Sequence, residues 1–165
     1  MRYMLGSFDD AGWADLYKKI YDNLEPGGWI EQLEGDVFIQ SDDGSLIPGS
    51  FLEGWGANIL GCGERSGKSL NAYGDMKGRI EAAGFVEVQE QPYKLPMGSW
   101  PKDKVLKEAG KINLKHWETG IEGWAMYLMT KFGAPKPWSA DEVRVYVAKI
   151  REELKNPNLH IWHAE

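Results

Sequence analysis

A helix, a glycine-rich turn and an apolar strand follow one another near the start of the chain, and this unit constrains the fold most. The turn Pro26-Gly27-Gly28 ends the helix, and the apolar residues of Trp29–Glu34 predict a strand that continues or bends through Val37–Ile39. Asp9 or Asp10 can cap the helix, whose apolar residues recur at helical spacing: Trp13, Leu16, Tyr17, Ile20 and Leu24.

The rest of the chain alternates helical and extended patterns. By periodicity we expect an aromatic helix capped by Ser50, helices over about 68–83, 111–132 and 139–154, and strands at 85–90 and 159–162. A Gly-rich connector at 61–67 separates the first two of these helices, and prolines at 92, 96 and 101 mark an extended crossing of the surface. The pattern is that of an α/β protein.

Length and composition bound the kind of protein. The 165 residues form one domain, 1–165, and the net charge of -6 argues against a nucleic-acid surface. Cys62 is the single cysteine, so no intrachain disulfide can form and a reducing compartment is expected. No run reaches the length of a membrane span or a signal-peptide core. We therefore expect a cytoplasmic protein with neither membrane nor nucleic-acid partners.

Several motifs recur in a characteristic order. They are MRYMLGSFDDAGWADLYKKIYDNLEPGGWIEQLE, SGKSL, AAGFVEVQE, YKLPMGSWPKD, KEAG, GIEGWAMYLMTKF and NPNLHIWH. On these motifs, and over nearly its whole length, the chain resembles the LaeA-like class I S-adenosylmethionine-dependent methyltransferases of filamentous fungi. The resemblance covers the C-terminal half of that family, because only 23 residues precede the helix end and turn that begin at Leu24.

The resemblance also implies a fold. Segments 29–34, 85–90 and 159–162 would be the fifth, sixth and seventh strands of the parent, which predicts a truncated Rossmann-like fold with a small residual mixed sheet covered by helices. Loss of the first four strands leaves an unpaired edge and an uncovered apolar face. We therefore expect a homodimer formed through the strand near Trp29–Glu34.

No cofactor site is expected. S-adenosylmethionine binding in this fold needs a Gly-rich turn after the first strand and an acidic residue after the second, and the chain has neither at the required place. The run from Gly61 to Ser69 looks like a phosphate-binding loop, but Cys62 stands where that loop requires glycine. His160 and His163 point to opposite faces of a strand without further ligands, so no metal site is expected.

The predicted helix over 111–132 carries the main candidates for chemistry. His116, Gly120, Gly123 and Tyr127 share one face, beside a core stripe of Trp117, Ile121, Trp124 and Leu128. Each glycine costs about 1 kcal/mol relative to alanine, so either a helix or a ligand should come close there. Two interpretations stay open: close helix packing with His116 merely hydrogen-bonded, or His116 and Tyr127 as polar groups of an aromatic pocket.

The resemblance gathers further residues around that pocket. Lys94 and Tyr93 join His116 and Tyr127 as catalytic candidates. Asp42 is a further catalytic candidate, because it and Glu31 lie near the end of the first predicted strand as possible acids or bases. The lining suits a flat, largely apolar metabolite; the expected substrate-binding residues are Phe51, Trp55, Met97, Trp100, Trp117, Gly120, Gly123 and Trp124.

Three functions remain open. The first is a methyltransferase-derived enzyme of fungal natural-product biosynthesis that has lost methyl transfer and catalyses a cofactor-independent cyclisation, pericyclic step or isomerisation. The second is a non-catalytic pseudoenzyme that binds a partner protein. The third is a methyltransferase subunit whose cofactor half is supplied by another chain.

Overall fold

The computed structural model describes residues 1–165, which form five helices and three short strands. In chain order these are α1 (Asp10–Asn23), β1 (Gln40–Ser41), α2 (Trp55–Ser66), α3 (Ala72–Ala82), β2 (Lys94–Met97), α4 (Lys104–Phe132), α5 (Ala140–Leu154) and β3 (Ile161–Ala164). The α/β class is confirmed, and most of the chain is helical or irregular.

The sheet is antiparallel. Its order is β1-β3-β2, with Gln40 opposite Trp162 on one side of β3 and Pro96 opposite the same residue on the other. The predicted mixed sheet is therefore wrong, because the one parallel contact is an isolated bridge between Arg2 and Leu33.

Two predicted strands do not form. Segments 29–34 and 85–90 run without a ladder of backbone hydrogen bonds, apart from the pairing of Leu33 with Met1 and Tyr3. Strand pairing begins only after each of these segments, at β1 and at β2. Both of these strands pair with β3, which lies between them and ends at Ala164. The predicted final strand, 159–162, exists but is shifted to Ile161–Ala164.

The predicted helices all exist, with several boundaries displaced. The predicted cap Ser50 is wrong, because α2 follows Gly54, and α3 begins at Ala72 rather than at residue 68. α2 begins at Trp55 and continues to Ser66, so the predicted connector at 61–67 is wrong; the helix ends at Gly67, whose φ of 75° suits a glycine. α4 begins at Lys104 rather than Lys111, since the Asp103 carboxylate accepts hydrogen bonds from the first-turn amides.

α4 is the helix on which the core is built. It packs against α2, α5 and β2. The spacing predicted Trp124 and Leu128 in the core, but Ala125 and Met129 are buried there instead. Trp124 and Leu128 lie on a neighbouring face of α4. The buried stripe of α4 consists of Gly110, Asn113, Trp117, Ile121, Ala125 and Met129.

A second cluster anchors the N-terminal segment. Trp13 and Tyr17 of α1 pack with Ala72 and Ile80 of α3, and burial raises the pKa of Tyr17 to about 12. Beside them, the Glu34 side chain is fully buried and accepts hydrogen bonds from the backbone amides of residues 4 and 5 and from the amide of Gln32. A buried carboxylate satisfied in this way holds residues 1–5 in place.

The two glycines Gly110 and Gly123 of α4 are expected to respond oppositely to alanine. A Cβ on Gly110 would lie 2.1 Å from the backbone oxygen of Gly98, whereas one on Gly123 would meet nothing within 4 Å. Gly110→Ala should destabilise the chain by roughly 1–3 kcal/mol, and Gly123→Ala should stabilise it by about 1 kcal/mol. Urea unfolding measures both, and equal midpoints for the two variants would contradict the tight contact between α4 and Gly98.

Candidate functional site

A cavity of about 870 Å³ lies beside α4. Its walls come from the N-terminal segment, the loop at 35–37, α2, β2, α4 and the end of β3. The lining is mostly apolar: Leu5, Val37, Trp55, Ile59, Leu70, Leu95, Ala109, Ile112, Trp117, Trp124 and Leu128, with Tyr3, Gly35, Asp36, Asn113, His116, His163 and Glu165 as the other members.

Aromatic rings line one side of the cavity. The ring of Trp117 lies 5.5 Å from the ring of Trp55 and 5.5 Å from that of Trp124, in edge-to-face arrangements. The imidazole of His116 lies 4.9 Å from the Trp124 ring. These four predicted site residues are thus brought together, and they form a surface suited to a flat apolar ligand.

His116 stands on α4 at the edge of this aromatic row. Its side chain lines the cavity, is exposed and makes no hydrogen bond within the chain, so neither ring nitrogen is engaged. Gly123 has open space over it, and a Cβ on Gly120 would meet only the Trp124 indole of the same helix. No other helix covers this face.

A second imidazole, that of His163, lies in the same cavity. The amide nitrogen of Asn113 donates to the Pro96 carbonyl at 2.9 Å and lies 3.2 Å from His163 Nε2. The Pro96 contact fixes the amide orientation, which assigns Nε2 as the acceptor and places the proton on Nδ1. Burial lowers the pKa of His163, so the neutral form is favoured.

Carboxylates border the rest of the cavity. Asp36 and Glu165 are lining residues, and the Tyr3 hydroxyl donates to Glu165 at 3.0 Å. Burial, and next the hydrogen bond to Glu165, raise the pKa of Tyr3. The lining contains no Lys or Arg, so an anionic ligand would meet no compensating charge here.

The other predicted catalytic residues lie outside this cavity. Tyr127 is exposed and packs against Phe132. Lys94 forms an ion pair with Asp42 at 2.6 Å, and Tyr93 is exposed one residue before it. These side chains are not brought together with His116.

The remaining predicted substrate-binding residues are dispersed. Phe51 lines a separate groove beside Trp138, Met97 is buried in the core, and the Trp100 indole donates to the Ile161 carbonyl at 3.1 Å. Gly120 and Gly123 do not line the cavity.

Sequence reasoning missed His163 and Asn113 as site residues. The sequence pattern makes His163 a candidate only for metal binding, whereas in the fold every residue of β3 is buried. A histidine within the apolar run of Ile161, Trp162 and Ala164 was the available signal. The nearby His160 is instead a surface residue paired with Asp43 at 2.6 Å.

No three His, Cys, Asp or Glu side chains form a group that could hold a metal ion. None of the helices combines the length and apolarity needed to cross a bilayer.

Comparisons with known proteins identify the relatives of this chain. Methyltransferase pytC of Aspergillus terreus is 34% identical over 159 residues, which cover 96% of this chain and 48% of the relative. Secondary metabolism regulator LAE1 of Cochliobolus heterostrophus is 31% identical, covering 99% of this chain and 54% of the relative. Secondary metabolism regulator laeA of Monascus pilosus is 30% identical, covering 96% and 42%.

The chain therefore belongs to the LaeA-like methyltransferase family of fungi and corresponds to the C-terminal half of its members. It spans about half the length of the curated relatives it matches. No family model and no solved structure matches it.

The lowered pKa of His163 predicts how stability depends on pH. The folded chain binds fewer protons at this site than the unfolded chain, so stability is complete above about pH 6.5 and falls as the pH drops towards the folded pKa. Urea unfolding at about pH 7.5 and about pH 5.5 should show a smaller loss for His163→Gln than for the unmodified chain. An equal loss in both would mean that His163 is not held neutral.

Proposed function

We propose that the chain is a methyltransferase-derived enzyme that binds an apolar natural product and catalyses a cofactor-independent cyclisation, pericyclic step or isomerisation. The observation that carries this proposal is one cavity in which an aromatic wall faces two imidazoles in different environments. Its volume of about 870 Å³ is in the range of sites for small organic ligands.

The chemistry of the lining supports a neutral or cationic substrate. Three indoles offer flat apolar surface, and Asp36 and Glu165 are carboxylates in a lining that contains no Lys or Arg. A phosphorylated or carboxylated substrate would be repelled by these groups. A flat polycyclic or prenylated metabolite would bury its rings against Trp117 and Trp124.

The two imidazoles suit different tasks in such a reaction. His116, with neither ring nitrogen hydrogen-bonded, can take a proton from one carbon of the substrate and return it to another, so that no atom or electron is gained or lost. His163 has its Nε2 engaged by Asn113, and its Nδ1 lies 3.4 Å from the Ala164 carbonyl, which is at most a weak bond. Its Nδ1–H is therefore free to polarise a substrate carbonyl.

The relatives support a role in natural-product pathways, since their names are those of methyltransferases and of regulators of secondary metabolism. A second candidate function, a methyltransferase completed by another chain, is favoured by one observation. The Met1–Tyr3 segment pairs with Leu33 on one side, while the backbone of Arg2 makes no hydrogen bond on the other. That free edge can accept a further strand.

Turnover should depend on His116 but not on Tyr127. We expect His116→Ala to lower turnover about a hundredfold or more, the usual effect of removing a positioned acid or base. Tyr127→Phe is the matched control on the same helix and should leave turnover unchanged, because Tyr127 lies outside the cavity. Mass spectrometry of a fungal metabolite extract before and after incubation identifies and follows the converted compound. If the His116 variant keeps full turnover per folded molecule, His116 is not catalytic.

S-adenosylmethionine separates the two candidate functions. We expect calorimetric titration of the chain alone to give no binding at physiological concentrations, and turnover to be unaffected by the added compound. Saturable binding with a dissociation constant in the low micromolar range would favour the methyltransferase candidate instead.

A further inference from the structure

A pocket of about 470 Å³ lies at the surface, where the start of α5 meets the turn before α2. Its apolar walls are the side chains of Phe51, Trp138, Val145 and Tyr146, and its charged lining residues are Asp141 and Glu142. None of these residues lines the cavity beside α4. The pocket is therefore a second site, separate from the one proposed for the substrate.

Three aromatic rings form a corner in this pocket. The rings of Trp138 and Tyr146 lie 5.2 Å apart at an interplanar angle of 90°, and the Phe51 ring lies 5.8 Å from the Tyr146 ring at 68°. The face of an aromatic ring carries negative potential and attracts a cation placed within about 6 Å of its centre. A cation in this aromatic corner can therefore contact several rings at once.

Hydrogen bonds hold the aromatic corner in place before any ligand arrives. The Trp138 indole N–H donates to the Ala134 carbonyl at 3.1 Å. The Tyr146 hydroxyl accepts from the Asn58 amide at 3.0 Å and donates to the Phe51 carbonyl at 3.3 Å. Binding therefore needs little further ordering of these side chains, which favours affinity.

The two carboxylates of the pocket differ in their partners. Asp141 forms an ion pair with Arg144 at 2.8 Å. Glu142 Oε2 accepts the Ser139 N–H at 2.6 Å, whereas Glu142 Oε1 makes no hydrogen bond within the chain. The hydrogen bond from the Ser139 backbone, and to a smaller extent the charge of Lys136, lower the pKa of Glu142. One charged oxygen thus stays free beside the aromatic corner.

The backbone around the pocket offers little to the main chain of a peptide. The N–H groups of Phe51, Trp138 and Ser139 all donate to acceptors within the chain. Extended peptides gain much of their affinity from backbone groups of this kind. The pocket therefore suits the cationic head of a small molecule better than a segment of a protein.

We propose that this pocket binds a trimethylammonium group carried by a small soluble molecule. The methyl groups of such a cation pack against the aromatic corner, while its charge interacts with the ring faces and with the free oxygen of Glu142. The carboxylates do not define the site by themselves, because acidic residues also stabilise the first turn of a helix. Recognition rests on the aromatic corner.

The probe is choline, titrated into the full chain while the indole N–H signal of Trp138 is followed by NMR. We expect a saturable shift with a dissociation constant of about 1 mM or below. The neutral isostere of choline, in which a tert-butyl group replaces the trimethylammonium group, has the same shape without the charge. It should bind about tenfold more weakly, because it lacks the cation–π attraction.

Two variants test the rings and the charge separately. Phe51→Leu keeps apolar volume but removes one ring, so it should weaken choline binding about fivefold and change binding of the isostere little. Glu142→Gln keeps an oxygen for the Ser139 N–H and removes the charge, so it should weaken binding of choline alone. Trp29→Leu removes an exposed tryptophan outside the pocket, and this control should change neither affinity.

Three results would overturn the proposal. Equal affinities for choline and its isostere would remove the case for cation recognition, and so would choline binding that Phe51→Leu leaves unchanged. A blocked peptide containing trimethyllysine that binds about tenfold more tightly than choline would assign the pocket to a protein tail instead. All of these measurements are independent of turnover in the cavity beside α4.

Discussion

Burial of one stripe of α4 against α2, α5 and β2 is the interaction on which the rest of the structure depends. The stripe comes within reach of the Gly98 carbonyl only because position 110 is a glycine, and the Gly98 N–H bonds to the Gly110 carbonyl at 2.9 Å. With that side of the helix committed to the core, the neighbouring face, with His116 and Trp124, is left to line a cavity. Core and candidate site are thus two faces of one helix.

The opposite wall of the cavity depends on a buried carboxylate. Glu34 holds the backbone of residues 4 and 5, which places Tyr3 and Leu5 across from α4. A buried ionisable side chain is tolerated there because its oxygens accept several hydrogen bonds at once. The cavity is therefore shaped by local polar contacts at one wall and by apolar packing at the other.

The helices were predictable because burial of one face imposes a 3.6-residue period that a single sequence displays. The strand pairing was not, because it depends on which distant segments meet: β3 pairs with β1 and β2, not with 29–34 or 85–90. Within the cavity lining, helical spacing brought His116 and Trp117 close together on α4, but it assigned Trp124 to the core stripe, where Ala125 lies. It also grouped Tyr127 with His116, although Tyr127 is exposed on another face of α4 and its neighbour Leu128 lines the cavity instead. His163 was not predicted as a site residue, because its contact with Asn113 joins residues 50 positions apart in the sequence, which helical spacing does not reveal.

The central claim, that the cavity beside α4 is the substrate site, is tested most directly by fluorine NMR of the chain labelled with 5-fluorotryptophan. The eight tryptophans report on separate parts of the surface, and single Trp→Phe variants assign their signals. Adding the metabolite that the protein retains or converts should shift the signals of Trp55, Trp117 and Trp124 and leave those of Trp29 and Trp138 in place. Shifts confined to Trp29 or Trp138 would place the ligand in another groove and contradict the account.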